Sequence, residues 1–271
     1  MPDRLSERSP TEIVPGVPAS APATAAAATP LVRQTDVLTV LPGTLPEPEL
    51  ARRLADTDGA IIMKLGRNFP AVRRALESAG RLDGAVYVER ASTDAQAHHP
   101  VRDVDPETVP YFSLVVVPGD SHHHDPTGRR PAQLTASAPD LTASAPAAPG
   151  TRGVVHVVGL GPGPDEWLTP EAARVLAEVD HVVGYAPYVN RVPQRAGLRR
   201  HSSGNTVEVD RACLALELAA AGEQVAVVSG GDAGVFGMAS AVFEAAEDPR
   251  HDGIDIRVVP GVSAVQAVAA R

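Results

Sequence analysis

Three glycine-bearing turns are the residues of this chain best placed to do chemistry. Gly159-Leu-Gly161-Pro162-Gly163-Pro164 follows the apolar run VVHVV, Ser229-Gly230-Gly231-Asp232-Ala233-Gly234 follows QVAVV, and Pro260-Gly261-Val262-Ser263 follows IDIRVV. Glycine tolerates positive φ and lets a ligand approach the backbone closely. In an open parallel sheet ligands settle beyond the carboxyl ends of the strands, where all three turns fall. Backbone donors and acceptors from three such turns suit a small zwitterion better than a metal ion. A nicotinamide dinucleotide is the rival occupant, but its fingerprint needs a sixth-position glycine running straight into a helix. Here the sixth residue is Pro164, the helix waits for Thr169, and HVVGY (181–185) has no acidic residue at its end to hold a ribose. Asp232 has two readings, a ligand contact or the N-cap of a helix over 234–247.

The elements that must position these turns alternate between strand and helix. In the second half VVHVVGLG is a continuous apolar run, as in a strand covered on both faces. Thr169 and Pro170 suit the N-cap and first turn of PEAARVLAEV. HVVGY is the next strand, VDRACLALELAAAG a helix stopped by Gly222, QVAVV a third strand and IDIRVV a fourth, after which VSAVQAVAAR opens another helix. The first half predicts strands at 37–41, 60–65, 85–90 and 111–117, with helices starting at Glu47 and ending at Gly80. Strands and helices in this alternation predict an α/β fold.

Between the halves, residues 119–151 are Pro-, Ser- and Ala-rich, with a direct duplication of LTASAP. So little apolar surface cannot offset the entropy of ordering, so a flexible linker is expected. The triple histidine 122–124 within it reads as a solvated tract, and no metal site is assigned. One repeat spans the chain: EIVPGVPASAPATAAAA from Glu12 and IRVVPGVSAVQAVAA from Ile256 are each a short strand, Val-Pro-Gly-Val and an alanine-rich stretch.

Bulk composition narrows the function classes. Hydrophobic residues make up 44% and aromatics 3%, so the cores must be packed with Val, Leu, Ile and Ala. A net charge of −9 argues against a nucleic-acid surface. Cys213 is the only cysteine and fits a reducing compartment. No apolar run approaches the ~20 residues that span a bilayer, and a soluble cytoplasmic protein is expected.

The motifs then become specific. GLGPGPDEWLTPEA, HVVGYAPYV, HSSGNTVEVDRA, VSGGDAGVFGMASAVFEAAE and VVPGVSAVQAVAA resemble, in order and spacing, the N-terminal lobe of precorrin-3B C(17)-methyltransferase. DVLTVLPGTLPEPELARRLADTDGAIIMKLGRNFPAVRRAL, VYVERAS and PYFSLVVVPG resemble the C-terminal lobe of precorrin-2 C(20)-methyltransferase, and residues 10–35 resemble the join between that enzyme's lobes. The chain is thus similar to tetrapyrrole (corrin/porphyrin) methylases of cobalamin synthesis, like an excerpt of a bifunctional protein. The domains expected are 1–35, an interlobe remnant; 36–118, a C-terminal-type lobe; 119–151, a linker; and 152–271, an N-terminal-type lobe with a mainly parallel sheet, so that the lobes stand in permuted order.

The resemblance implies S-adenosylmethionine as methyl donor and a precorrin as substrate. It implies cofactor contacts by Pro162, Gly230, Gly231, Asp232, Ser263 and Ala264, and from the other lobe by Met63 and Ala91. Core packing is an equal alternative for Met63. Arg67, Arg199 and Arg200 are candidates for the substrate's carboxylates, and no catalytic residue is assigned. Ala233 stands where the family usually has proline. Methyl transfer is an in-line displacement that needs alignment and little acid–base help. Three readings follow: a piece with neither site complete, a circular permutant with one hybrid cleft, or a non-catalytic module holding cofactor or tetrapyrrole. A homodimer or pairing with complementary lobes is the partner expected.

Overall fold

The computed structural model describes residues 13–29, 31–32, 35–119, 153–204 and 207–270. Residues 120–151 of the expected linker, with the triple histidine, lie outside the described residues, as do 1–12 and Arg271.

The first sheet contains β1 (Leu38–Pro42), β2 (Gly59–Met63), β3 (Val86–Glu89), β4 (Ala97–Pro100) and β5 (Ser113–Val117), in the order β1-β2-β5-β3-β4. β1 and β2 are parallel and the other pairings antiparallel. Side chains alternate between faces with the strand period of two. Ala60, Ile62, Val115 and Val117 face α2 (Glu47–Ala55) and α3 (Phe69–Ser78), with Leu50, Leu54, Val72 and Leu76. Phe69 meets Tyr87 edge to face in that layer, centroids 5.7 Å apart. Ile61, Val88, Leu114 and Val116 face the other way, onto Ala23 of α1 (Ser20–Ala26) and onto Leu31 and Val32.

The second sheet is wholly parallel, with β6 (Val154–Gly159), β7 (His181–Tyr185), β8 (Arg199–Ser203), β9 (Gln224–Ser229) and β10 (Asp255–Val259) in the order β10-β6-β9-β7-β8. Val155, Val157, Val225 and Val227 pack under α6 (Glu208–Ala220) and α7 (Ala239–Ala246). Val158, Val182, Ala226 and Val228 pack under α4 (Pro170–Glu178), which places the valine-rich runs in a sheet buried on both sides. Thr169 caps α4 as expected, its Oγ1 accepting from the Ala172 amide at 3.1 Å. α5 (Ala186–Val189) and α8 (Ala264–Ala269) complete the elements.

The α/β class holds, with shifts that have physical causes. The second strand stops at Met63 and the third at Glu89 because Lys64 and Arg90 adopt positive φ, 59° and 49°. The helix expected from 234 starts at Ala239, after a tight coil in which Phe236 also has positive φ. β4 and β8 were not expected. AHHP and RRHSS are polar edge strands, without the apolar alternation that marks a half-buried one.

The two copies of the repeat divide one job. The second copy supplies β10, which pairs with β6 in register from Asp255↔Val154 to Val259↔Val158. The first copy is irregular over 13–18, and Val14 is 77% exposed. Its helix α1 is instead the half that packs, covering the first sheet, while Val265 and Val268 of α8 stand exposed.

Candidate functional site

The three turns meet. Leu160 N–H donates to Ser229 O at 2.9 Å, and Gly161 and Gly231 exchange N–H···O bonds at 3.0 Å each way. The third turn joins through Asp232, whose Oδ2 accepts from Gly261 N–H at 3.0 Å while Oδ1 accepts from Gly234 N–H at 3.0 Å. Glycine is required at these contacts: a Cβ on Gly261 would lie 2.4 Å from Gly231 O, and one on Gly159 2.7 Å from the same oxygen. Gly231 itself, at φ 69°, leaves open the space where a Cβ would sit, 3.8 Å from the Ala264 nitrogen.

The N-cap reading of Asp232 is overturned. α7 begins seven residues later with Met238 at its N-cap position, and Asp232 instead clips the second turn to the third. Burial pushes its carboxyl above the ordinary range, against the pull of N–H donors from Gly261, Gly234 and Val235. Pro162 and Gly230 are half-buried, Ser263 is buried at the N-cap position of α8, and Ala264 is exposed beside Gly231. Six of the expected cofactor residues therefore share one edge of the parallel sheet.

Residues that sequence reasoning missed hold this edge in place. Arg191 donates to Gly161 O and Leu160 O, both at 2.8 Å, and so fixes the first turn by its carbonyls. Tyr188 lies against the second turn, where a Cβ on Gly230 would be 2.7 Å from its ring. Tyr185 packs edge-on to Tyr188, and the buried Arg211 sits over the Tyr185 ring at 6.0 Å. Arg211 also donates to Ser203 Oγ at 2.7 Å and to Gly204 O, and burial lowers its pKa. APYVNR and VDRA gave no sign of this, since arginine bonded to backbone has no spacing signature.

The other expected residues are elsewhere. Met63 and Ala91 line a cavity of about 570 Å³ in the first lobe, with Pro22 and Ala23 of α1 across from them. Arg67 is exposed in the turn after β2. The structure does not bring Arg199 and Arg200 to the three turns, because they open β8 beside His181, at the strand ends remote from Gly159 and Ser229. Arg200 is committed to Val192 O. Among the described residues, no group of three or more His, Cys, Asp or Glu is arranged to hold a metal, and no helix is long and apolar enough to cross a membrane.

Leu31 and Val32 join the lobes. Val32 bridges in parallel to Val235, Leu31 N–H donates to Gly234 O at 3.4 Å, and Leu31 O accepts from Gly119 N–H at 2.8 Å. The second turn is thereby tied to the first sheet.

Comparison with known proteins gives this geometry its relatives. The model of the tetrapyrrole (corrin/porphyrin) methylases matches residues 3–104 and 154–271. The cobalamin biosynthesis protein CobIJ of Mycobacterium tuberculosis is 50% identical over 268 residues, 99% of this chain and 47% of the relative. A Sinorhizobium precorrin-2 C(20)-methyltransferase is 53% identical over 116 residues, 43% of this chain and 47% of that protein. A Sinorhizobium precorrin-3B C(17)-methyltransferase is 46% identical over 121 residues, 44% of this chain and 48% of its own length. The chain spans about half the length of the curated relatives it matches. It belongs to the tetrapyrrole (corrin/porphyrin) methylase family.

Proposed function

We propose that this chain serves S-adenosylmethionine-dependent methyl transfer to a precorrin in cobalamin biosynthesis, with the cofactor seated on the three interlocked turns. The observation that carries the reading is the mutual bonding of Gly161, Gly231, Asp232 and Gly261 at the carboxyl ends of parallel strands. Such an arrangement presents backbone groups at fixed positions with no side chain in the way at Gly231. The cofactor would supply an electrophilic sulfonium methyl group. The chain's own contribution is alignment: Pro162, Gly230, Gly231, Ser263 and Ala264 form the berth, Asp232 sets its shape from within, and Arg191 and Tyr188 brace it. Met63 and Ala91 would complete the contacts from the first lobe.

In this reading residues 36–118 are a C(20)-type C-terminal lobe, 152–271 a C(17)-type N-terminal lobe, 1–35 an interlobe remnant and 119–151 a linker, in a cytoplasmic protein. The fate of the repeat favours a second reading beside it. The second copy contributes its strand and the turn after it and the first copy its helix, leaving Ile13, Val14, Val265 and Val268 exposed. That pattern fits a chain that binds cofactor or tetrapyrrole and turns over only when complementary methylase lobes, from another chain or a second copy, cover those faces.

Calorimetry with S-adenosylhomocysteine tests the berth. The expected result is one site per chain, lost in Gly231→Arg, whose side chain would fill the space beside Ala264. No binding by the native chain, or equal affinity in the variant, contradicts the reading. Methyl transfer to precorrin-2 or precorrin-3B by the chain alone would remove the second reading.

A further inference from the structure

We infer that Arg191 receives a carboxylate of the tetrapyrrole substrate, on a stretch of the carboxyl edge that lies beside the cofactor berth and outside it. The inference rests on the methylase reading and deepens it by naming where the second ligand is held. The strand order β10-β6-β9-β7-β8 sets the layout. The three berth turns follow β10, β6 and β9, and the next position along the same edge belongs to the segment after β7. That segment, from Tyr185 through α5 to Arg191, carries two half-buried tyrosines and one half-buried cation.

The bonding of the cation sets it apart. Arg52, Arg53, Arg74, Arg102, Arg250 and Arg257 are each paired with a carboxylate. Arg191 bonds only to Gly161 O and Leu160 O among the described residues, and the exposed Asp165 and Glu166, two and three residues past Gly163, form no ion pair with it. A guanidinium has five N–H donors in a planar fork, so two bonds leave three for a ligand. Drawing a charge partly out of water is costly unless an opposite charge meets it. The two carbonyls, at 2.8 Å each, fix the orientation of the fork before any ligand arrives. Gly163 leaves its flank open, since even a Cβ there would stand 3.8 Å from the guanidinium carbon.

Other arginines bonded to backbone do not share this position. Arg81 is in the first lobe, Arg195 and Arg200 are tied to Val179 O and Val192 O, and Arg211 is buried over the Tyr185 ring. Arg191 thus stands at this edge in the role expected of Arg199 and Arg200. Tyr185 and Tyr188, edge to face with centroids 5.6 Å apart, add an aromatic surface on the same segment. A pre-oriented cation on an aromatic segment suits a flat macrocycle fringed with carboxylates. The cofactor's amino-acid end also carries a carboxylate, and probes that lack one or the other separate the two sources.

The test compares native chain, Arg191→Met and Arg191→Lys. Uroporphyrin is the polycarboxylate tetrapyrrole probe, S-adenosylhomocysteine the single-carboxylate probe, and 5′-methylthioadenosine a control without the amino-acid end. Loss of the brace on the first turn weakens both nucleoside probes alike, so the reading lies in the differences. In Arg191→Met uroporphyrin should fall about tenfold further than 5′-methylthioadenosine, and Arg191→Lys should recover most of that excess. Uroporphyrin binding should also lose part of its salt dependence in Arg191→Met and keep it in Arg191→Lys, a change that bracing alone does not produce. A greater fall for S-adenosylhomocysteine than for 5′-methylthioadenosine, without the excess for uroporphyrin, would give Arg191 to the cofactor carboxylate and overturn the tetrapyrrole assignment. Parallel falls for all three probes, with salt dependence unchanged, would leave Arg191 a brace only and overturn the inference. Native chain that binds S-adenosylhomocysteine but not uroporphyrin would overturn it too while the berth stands, and failure to bind either would overturn the methylase reading itself.

Discussion

Val14 and Val259 open the same Val-Pro-Gly-Val sequence, yet one is 77% exposed and the other 2%. The helices that follow reverse the order: Ala23 of α1 is fully buried, whereas Val268 of α8 is 75% exposed. Two segments that share Val-Pro-Gly-Val and an alanine-rich continuation therefore contribute different parts of the fold. The strand slot beside β6 accepts one partner, and β10 reaches it from the adjoining part of its own lobe. The free face of the first sheet also accepts one cover, and α1 lies a short distance in sequence from β1. Proximity along the chain favours each outcome, but a doubled loop costs only about 0.6 kcal/mol more, so packing decides each competition.

The sharpest way to break this contrast is at the interlocked turns that follow β10. Gly261→Ala would drive a methyl to 2.4 Å from Gly231 O, where backbone faces backbone and little can give. We expect destabilisation at or above about 3 kcal/mol by urea unfolding, with loss of S-adenosylhomocysteine binding. The counterpart Gly16→Ala meets nothing within 4 Å and should be near neutral.

Arg191→Met removes both bonds to the first turn. With Leu160 O losing its arginine donor and Gly161 O keeping only Gly231 N–H, S-adenosylhomocysteine should bind at least tenfold more weakly and stability should fall by about 1–3 kcal/mol. Arg191→Lys, keeping one donor, should recover part of the affinity. Intact affinity in the methionine variant would mean that the first turn holds itself.

The copies can then be compared directly. Val259→Ala should cost about 2 kcal/mol, as expected for a fully buried valine, while Val14→Ala should stay within about 0.5 kcal/mol. Equal costs would show that the two strands exchange places.

The smallest effect expected is in pH dependence. Burial holds the imidazoles of His156, His181 and His201 below their ordinary value, and His181 Nδ1 lies 2.8 Å from His201 Nε2 in a stacked pair. The unfolded chain takes up protons at these sites near pH 6.5 and the folded chain only at lower pH. More protons on the unfolded state mean that stability falls as pH drops below about 6.5. His201→Gln should flatten that fall in urea midpoints between about pH 7.5 and 5.5. Asp232, raised by burial, works in the opposite sense at lower pH.

Much of this organisation is legible in the residues. Valine runs, Thr169-Pro170 and the three glycine turns locate the parallel sheet, α4 and the edge where the turns meet. Edge strands β4 and β8 were hidden because their polar residues carry no period. Asp232 was ambiguous because a carboxylate three residues after a strand can cap a helix or clip a neighbouring turn, and only the late start of α7 decides. Arg191 and Arg211 act on backbone carbonyls and a ring, which no spacing encodes. The fates of the repeat were half legible: one sheet slot for two Val-Pro-Gly-Val strands leaves the copy at 12–17 displaced, as the exposure of Val14 bears out, but the burial of α1 has no signal in its alanine-rich sequence.

Amide hydrogen exchange with and without S-adenosylhomocysteine tests the central claim most directly. Added ligand should slow exchange together at 160–163, 230–234 and 261–264, while 14–17 exchanges rapidly throughout. Unchanged exchange at the three turns, or protection confined to the first lobe, would contradict the assignment of the turns as the cofactor seat.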